Sequence, residues 1–396
     1  MAHPWRLLAG VALCLSVGLP AAAQLQPLND NARRNAYVVY NIPDSAVRAV
    51  MAPDVTGEHF ACKLWLNDGK QAIVVDGVQQ ESYTEVTMPF VGDYGARIAY
   101  IADKTKLIVD GKLAAEHKEF ALDSPEAVVF SQDGKHMAYC ASDGDGWFVS
   151  KDGDRSDLYA RVWSPAMPSD GSRLAFCAED GSGKRFVVLD GKPQESYDDV
   201  SDPTFSSDGK RFAFAGKKGD SWSVVLDGAK GSEPYAGVKE LTFSDDGKRF
   251  AYAAKVGDSE FVVLDGQRQQ GYEAVDDLVF SPKGARFGHA ARARLRWHVV
   301  VDGEAGDPYD SVRGLVFLAD SREYLYTCQD RRRARIVVGK LPQMGFEWNS
   351  NPVATTSGNT AFYIMVTGQW FDRTDRAKGL KPGAHVYQAA MGIASS

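Results

Sequence analysis

Residues 241–266 read LTFSDDGKRFAYAAKVGDSEFVVLDG, and most of the chain is a variation on that stretch. A short strand ends at Phe243, an Asp-Gly turn follows at Asp246 and Gly247, and a second strand runs from Arg249 to Ala254. After a hairpin at Gly257 and Asp258, a third strand from Phe261 to Leu264 stops at Asp265 and Gly266. Asp-Gly at successive turns signals hairpins, because both residues tolerate positive φ. The closing Asp recurs at Asp76, Asp110, Asp152, Asp190, Asp227, Asp265 and Asp302, at spacings of 34, 42, 38, 37, 38 and 37. An eighth copy keeps the beat, with Gly339 lying 37 residues after Asp302. A fixed period of this length means stacked supersecondary units.

Strands of about five residues joined by turns of about two to five fit four strands into such a period. The fourth is expected around Tyr197–Val200, Tyr235–Val238, Tyr272–Val275 and Tyr309–Val312. First-strand aromatics are expected at Phe130, Trp163, Phe205, Phe243, Phe280 and Phe317. In the second strand, Phe250, Ala251, Tyr252 and Ala253 alternate large and small, as do Phe212, Ala213, Phe214 and Ala215. Successive strand residues face opposite sides of a sheet, so both sides are dry and the aromatics of one unit can lie on the alanines of the next.

The phrases from Phe205 to Phe214 (FSSDGKRFAF) and from Phe243 to Tyr252 (FSDDGKRFAY) resemble the WD40-like (PD40) β-propeller repeat. That repeat occurs in the periplasmic protein TolB and in many exported bacterial proteins, and the similarity covers roughly residues 47–340. It implies an all-β propeller of four-stranded blades. Eight units are visible, beginning near Val47, Thr87, Ala127, Arg161, Pro203, Leu241, Leu278 and Leu315. Eight blades is the preferred count, with seven or nine open, and strands from both termini are expected to close the ring. Propellers host enzymes, binding proteins and scaffolds, so the resemblance carries no activity with it.

The ends read differently. Arg6, the apolar run Leu7 to Leu19 and the small residues Ala21 to Ala23 make residues 1–23 a signal peptide. Those thirteen apolar positions span about 20 Å as a helix, short of the roughly 30 Å of a bilayer core. Leu13 stands before Cys14 where a lipoprotein signal would have a small residue. Cleavage near Ala23 places the protein in a periplasm or outside the cell, with the propeller over 24–371 and a polar tail at 372–396. Losing Arg6 moves the net charge from −7 to −8, which offers no global attraction to nucleic acid. Four cysteines remain, Cys62, Cys140, Cys177 and Cys328, and none forms a CxxC pair. Cys140 and Cys177 take the place of Ala253 in neighbouring units; stacked sheets lie about 10 Å apart, beyond the roughly 7 Å reach of a disulfide.

Repetition assigns the Asp-Gly carboxylates to turns rather than to metal or acid–base chemistry. The dense acidic run Asp143, Asp145, Asp152, Asp154 and Asp157 lacks EF-hand spacing, and no metal site or cofactor is expected. His289 stands where Tyr252 and Phe214 stand elsewhere, which suggests a hydrogen-bonded core residue. His298 has no Ser, Cys or carboxylate arrangement around it to complete a triad, so no catalytic residue is assigned. One irregularity stands out. The turns after the second strands carry Arg292, Arg294 and Arg296 in one unit, then Arg331, Arg332, Arg333 and Arg335 in the next. Seven arginines on one face would suit carboxylate or phosphate groups, unless Asp276, Asp277 and their like neutralise them. The sequence thus favours a non-catalytic exported scaffold for a protein or acidic glycan partner, with no nucleic acid and no membrane span. A propeller hydrolase or lyase acting at the central channel mouth is the alternative.

Overall fold

In a computed structural model of the chain, the residues described are 34–41, 46–53, 60–92, 97–122, 127–231, 233–317, 321–330, 333–339, 341–345, 353–354, 360–366 and 385–391. The proposed signal peptide lies outside them. The chain divides into two compact units, one covering 117–345 and the other formed by the described residues on either side. Among the described residues there are strands in nine antiparallel sheets, and no helix is long and apolar enough to cross a membrane.

Eight sheets come from the repeat, numbered here in chain order. They begin at Ala46–Pro53, Phe90–Val91, Glu119–Phe120, Arg161–Ala166, Asp199–Val200, Gly237–Phe243, Ala274–Phe280 and Ser311–Phe317, and each runs its strands in sequence order. In sheets 3 and 5 the first strand is in two pieces. The ninth sheet is drawn from both ends: Arg34–Asn41 pairs with His385–Met391, which pairs with Thr360–Val366. The segment read as a polar tail therefore contributes a strand. Its breakers, Gly379, Pro382 and Gly383, all precede that strand and leave Val386 to Met391 uninterrupted.

Within the 117–345 unit, consecutive sheets pack face to face with a constant polarity. Ala138 and Cys140 of sheet 3 lie on Phe176 and Phe186 of sheet 4. Ala213 and Ala215 of sheet 5 lie on Phe243 and Phe250 of sheet 6, and Ala290 and Val299 of sheet 7 on Phe317 and Tyr326 of sheet 8. The other unit repeats this between Ile73 of sheet 1 and Tyr100 of sheet 2. Each buried aromatic contributes about 1.5–3 kcal/mol, so these joints hold most of the core. This is β-propeller-type packing of four-stranded antiparallel blades. Cys62, Cys140, Cys177 and Cys328 are buried thiols within it.

Three boundaries differ from the sequence reading. The fourth strand follows the Asp-Gly turn at once, as in Lys192–Pro193 and Gln267–Tyr272. Tyr197, Tyr235 and Tyr309 only bridge back to Arg185, Trp222 and Trp297. Val238, Val275 and Val312 open the first strand of the next sheet, because each such strand crosses a bulge at Glu240, Asp277 or Gly314, all at positive φ. Trp163 pairs with Cys177 just as Lys239 pairs with Ala253, so Trp163 precedes the bulge and Met167 takes the first-strand aromatic's slot.

The repeated aspartates have a defined structural task. Asp265 sits at φ +51°, accepts the Phe250 N–H at 3.0 Å through Oδ1 and the Arg249 Nε–H at 2.9 Å through Oδ2. The Arg249 guanidinium then reaches the Gly284 and Ala285 carbonyls of the next sheet and lies over Phe280, 5.4 Å from the ring centroid. Arg173–Asp190–Phe205, Arg211–Asp227–Phe243 and Arg286–Asp302–Phe317 repeat the arrangement. A second recurring contact sets the Tyr at the end of one unit against the second-strand aromatic of the next: Tyr197 on Phe214, Tyr235 on Tyr252, Tyr272 on His289 and Tyr309 on Tyr326. His117 and Tyr139 form the same kind of pair.

Candidate binding site

The hairpins between second and third strands, and the connections from one sheet to the next, share one end of each sheet. Lys184 meets Asp198 at 2.6 Å, and Arg185 meets Asp199 at 2.8 Å and Glu179 at 2.9 Å. Lys218 pairs with Glu195. The basic turns are therefore largely neutralised by acids of the adjoining connections.

The predicted arginines follow this pattern in part. Arg292 lies 3.8 Å from Glu273, with its Nε buried and lacking a hydrogen bond. Arg296 holds Asp310 at 2.5 Å and Asp330 at 3.0 Å, and also donates to the Pro308 carbonyl. Arg294 is exposed at the hairpin tip and has no ion pair among the described residues. Arg331 and Arg332 lie outside the described residues; Arg333 and Arg335 belong to the strand Arg333–Val338. The structure thus brings Arg292, Arg294 and Arg296 together on one hairpin, two of them committed to acids. Leu295, between Arg294 and Arg296, is 72% exposed and lies outside the residues that the charge pattern singles out.

A second group lies where the first strands of sheets 6 and 7 cross their bulges. Glu240, at φ +55°, accepts the Leu278 N–H of sheet 7 at 3.0 Å and is hydrogen-bonded to Asp276. Burial, then the contact with Asp276, pushes the Glu240 carboxyl up to about 9, so it is protonated at neutral pH. Asp277, also at φ +55°, accepts the Gly314 N–H of sheet 8 at 2.8 Å. Burial and the Asp276 charge raise it to about 6. Ser164 donating to Asp202 at 2.6 Å is the counterpart between sheets 4 and 5. The bulge side chains are first of all ties between neighbouring sheets. What distinguishes the 6–7 joint is the extra carboxyl, Asp276, where other units have Lys239, Arg313 or Trp163. Sequence could not reveal this cluster, since its members come from separate units.

The remaining candidates settle into the framework. His289 is 6% exposed, and neither ring nitrogen has a hydrogen-bond partner among the described residues. It is a core residue, as expected from its slot, but without the hydrogen bond expected of it; burial depresses its pKa to about 4. His298 Nδ1 is 2.9 Å from the Gly306 carbonyl, where it acts as donor. Asp143 is held by His117 at 3.0 Å and Arg155 at 2.7 Å, and Asp152 by the Met137 N–H and His136. Among the described residues no His, Cys, Asp and Glu group is arranged to hold a metal.

No family model matches the chain, and no curated protein matches it. Among solved structures it is similar to a eukaryotic initiation factor, at 12% identity over 80% of this chain and 94% of that one, with a TM-score of 0.56. It is also similar to TolB from Acinetobacter baumannii (14%, 76% and 80%, TM-score 0.34). A third is the β-propeller domain of the Trilobed protease from Pyrococcus furiosus (13%, 76% and 99%, TM-score 0.39). At such identities the likeness is one of fold.

Proposed function

We propose that this protein is an exported, non-catalytic β-propeller scaffold that binds a protein or acidic glycan through its hairpin face. The repeat units serve as its blades, and the ring is closed by strands of both termini, a reading supported by the pairing of Arg34–Asn41 with His385–Met391. Eight repeat sheets and one composite sheet would give nine blades. The observation that carries the binding role is the contrast between joints and tips. The repeated polar side chains are tied within their own turn or to a neighbouring sheet, whereas Arg294 has no ion pair among the described residues and the Leu295 side chain beside it is 72% exposed. The test is recovery of partners from an envelope fraction by the purified mature chain at low and moderate salt. Specific recovery that weakens with salt and with Arg294→Glu is expected; recovery indifferent to both would refute the role of this face.

The enzyme reading has one observation in its favour, the cluster of Glu240, Asp276 and Asp277, in which burial and the contact with Asp276 raise the Glu240 pKa. A hydrolase or lyase turnover that disappears in Glu240→Gln while folding is retained would establish it.

A further inference from the structure

The hairpin joining Phe287–Ala293 to Arg296–Val301 turns on two residues, Arg294 at φ +52° and Leu295 at φ +63°. A two-residue turn with both φ positive is served at least cost by Asn-Gly, and a Leu there sets its Cβ against the backbone. The corresponding hairpins of sheets 5 and 6 place Gly219 and Gly257 at positive φ. The hairpin of sheet 2 also has two successive residues at positive φ, but in a three-residue loop between Ala102 and Lys106, and there they are the polar Asp103 and Lys104. In sheet 7 the strain is taken by an aliphatic side chain that stays 72% exposed, so burial of that side chain does not offset it. A strained position whose apolar side chain gains no burial within the fold marks a place where that burial comes from outside.

The tip is also braced. Leu295 N–H donates to Glu273 Oε2 at 3.1 Å, Arg292 stands 3.8 Å from the same carboxylate, and Arg296 is held by Asp310 and Asp330. Leu295 and the unpaired Arg294 are therefore presented in a fixed attitude.

From this, and resting on the scaffold reading above, we infer that Arg294 and Leu295 form a recognition knob for a protein partner that offers an apolar pocket with a carboxylate at its rim. An exposed aliphatic group gains little from a hydroxyl-covered glycan. Glu273, Asp310 and Asp330 engage Arg292 and Arg296, which leaves Arg294 as the tip's one cation for anionic headgroups among the described residues, and a fluid surface has no use for a braced geometry. A pocket rewards both, since preorganised anchors lose little entropy on binding and Arg adds a charge-assisted pair.

The experiment places a photo-crosslinking benzoylphenylalanine at Leu295, and separately at the tips Asp145 and Asp220, in the full chain expressed in its own cells. A single protein adduct at 295, absent at 145 and 220, is expected. Mass spectrometry should map it to a segment bordered by Asp or Glu, and yield should fall at least tenfold with Arg294→Glu but not with Arg294→Lys. Thermal melts of both variants must match the parent. Adducts at 145 or 220 without one at 295 overturn the knob and leave the scaffold standing. A lipid adduct, or equal adducts at all three tips, also overturns the knob. No adduct at any tip removes the scaffold reading with it.

Discussion

The Arg249 guanidinium lies 5.4 Å from the centroid of the Phe280 ring, which belongs to the next sheet, while its Nε is fixed by Asp265 at 2.9 Å. One side chain thereby locks the turn of its own unit and caps the first strand of its neighbour. A cation on an aromatic face and a charge-assisted hydrogen bond reinforce each other here, because each orients the guanidinium for the other.

Replacing Arg249 by Met keeps the aliphatic stem and removes both interactions. The expected cost is about 1–3 kcal/mol, read as a lower urea midpoint with an unchanged slope. A double-mutant cycle with Phe280→Leu should return a coupling of about 0.5–1 kcal/mol. Additive losses would show that the ring contact contributes nothing.

Glu240 makes stability depend on pH in the unusual direction. Its folded pKa of about 9 lies above the ordinary 4.5, so the native state keeps a proton that the unfolded chain releases. The resulting cost is absent below about pH 4.5 and grows as pH rises toward 9. Gln at this position can still accept the Leu278 N–H and can donate to Asp276. Glu240→Gln should therefore gain about 1–3 kcal/mol at pH 7 and nothing at pH 4.5, measured by denaturant titration at both pH values. An equal change at the two would mean that the carboxyl is not held protonated.

His289 works from the acid side. Its folded pKa, about 4, lies below the ordinary 6.5. The unfolded chain takes up a proton first as pH falls, and stability is lost from pH 6.5 down to 4. His289→Tyr supplies a hydroxyl opposite Tyr272, as Tyr252 does opposite Tyr235 with their oxygens 3.0 Å apart. The variant should exceed the parent by about 2 kcal/mol at pH 4.5 and stay within about 1 kcal/mol of it at pH 7.5. A parallel loss in both proteins under acid would assign the sensitivity to other groups.

The period, the strand type and the alternation of large and small residues were legible because each depends on local chemistry: Asp-Gly at turns, β-branched runs, Phe and Ala on opposite faces. The bulges were not, since a left-handed Glu240 or Asp277 carries no composition signal of its own. Without them Trp163 fell four places out of register, and the valines after Tyr235 and Tyr272 went to the wrong sheet. Arg211, Arg249 and Arg286 recur at one position of the repeat, and that regularity was a signal for a joint. Arg292 through Arg335 are more conspicuous in the sequence because they stand where that regularity fails. Leu295 carries no sequence signal, because a single leucine in a hairpin means little until its φ and exposure are known.

The constant polarity of the joints, small face against aromatic face, has a consequence for assembly. Chemically alike joints tell a folding chain that some sheet belongs next, but not which one, and a sheet from a second molecule would serve nearly as well. Order must then come from contacts whose chemistry changes from joint to joint: Ser164 with Asp202 between sheets 4 and 5, Glu240 with Asp276 and Leu278 between sheets 6 and 7, Tyr272 against a His289 that has no hydrogen-bond partner among the described residues. The departures from the repeat act as keys that admit one neighbour, and erasing them toward a consensus would trade a single register for many.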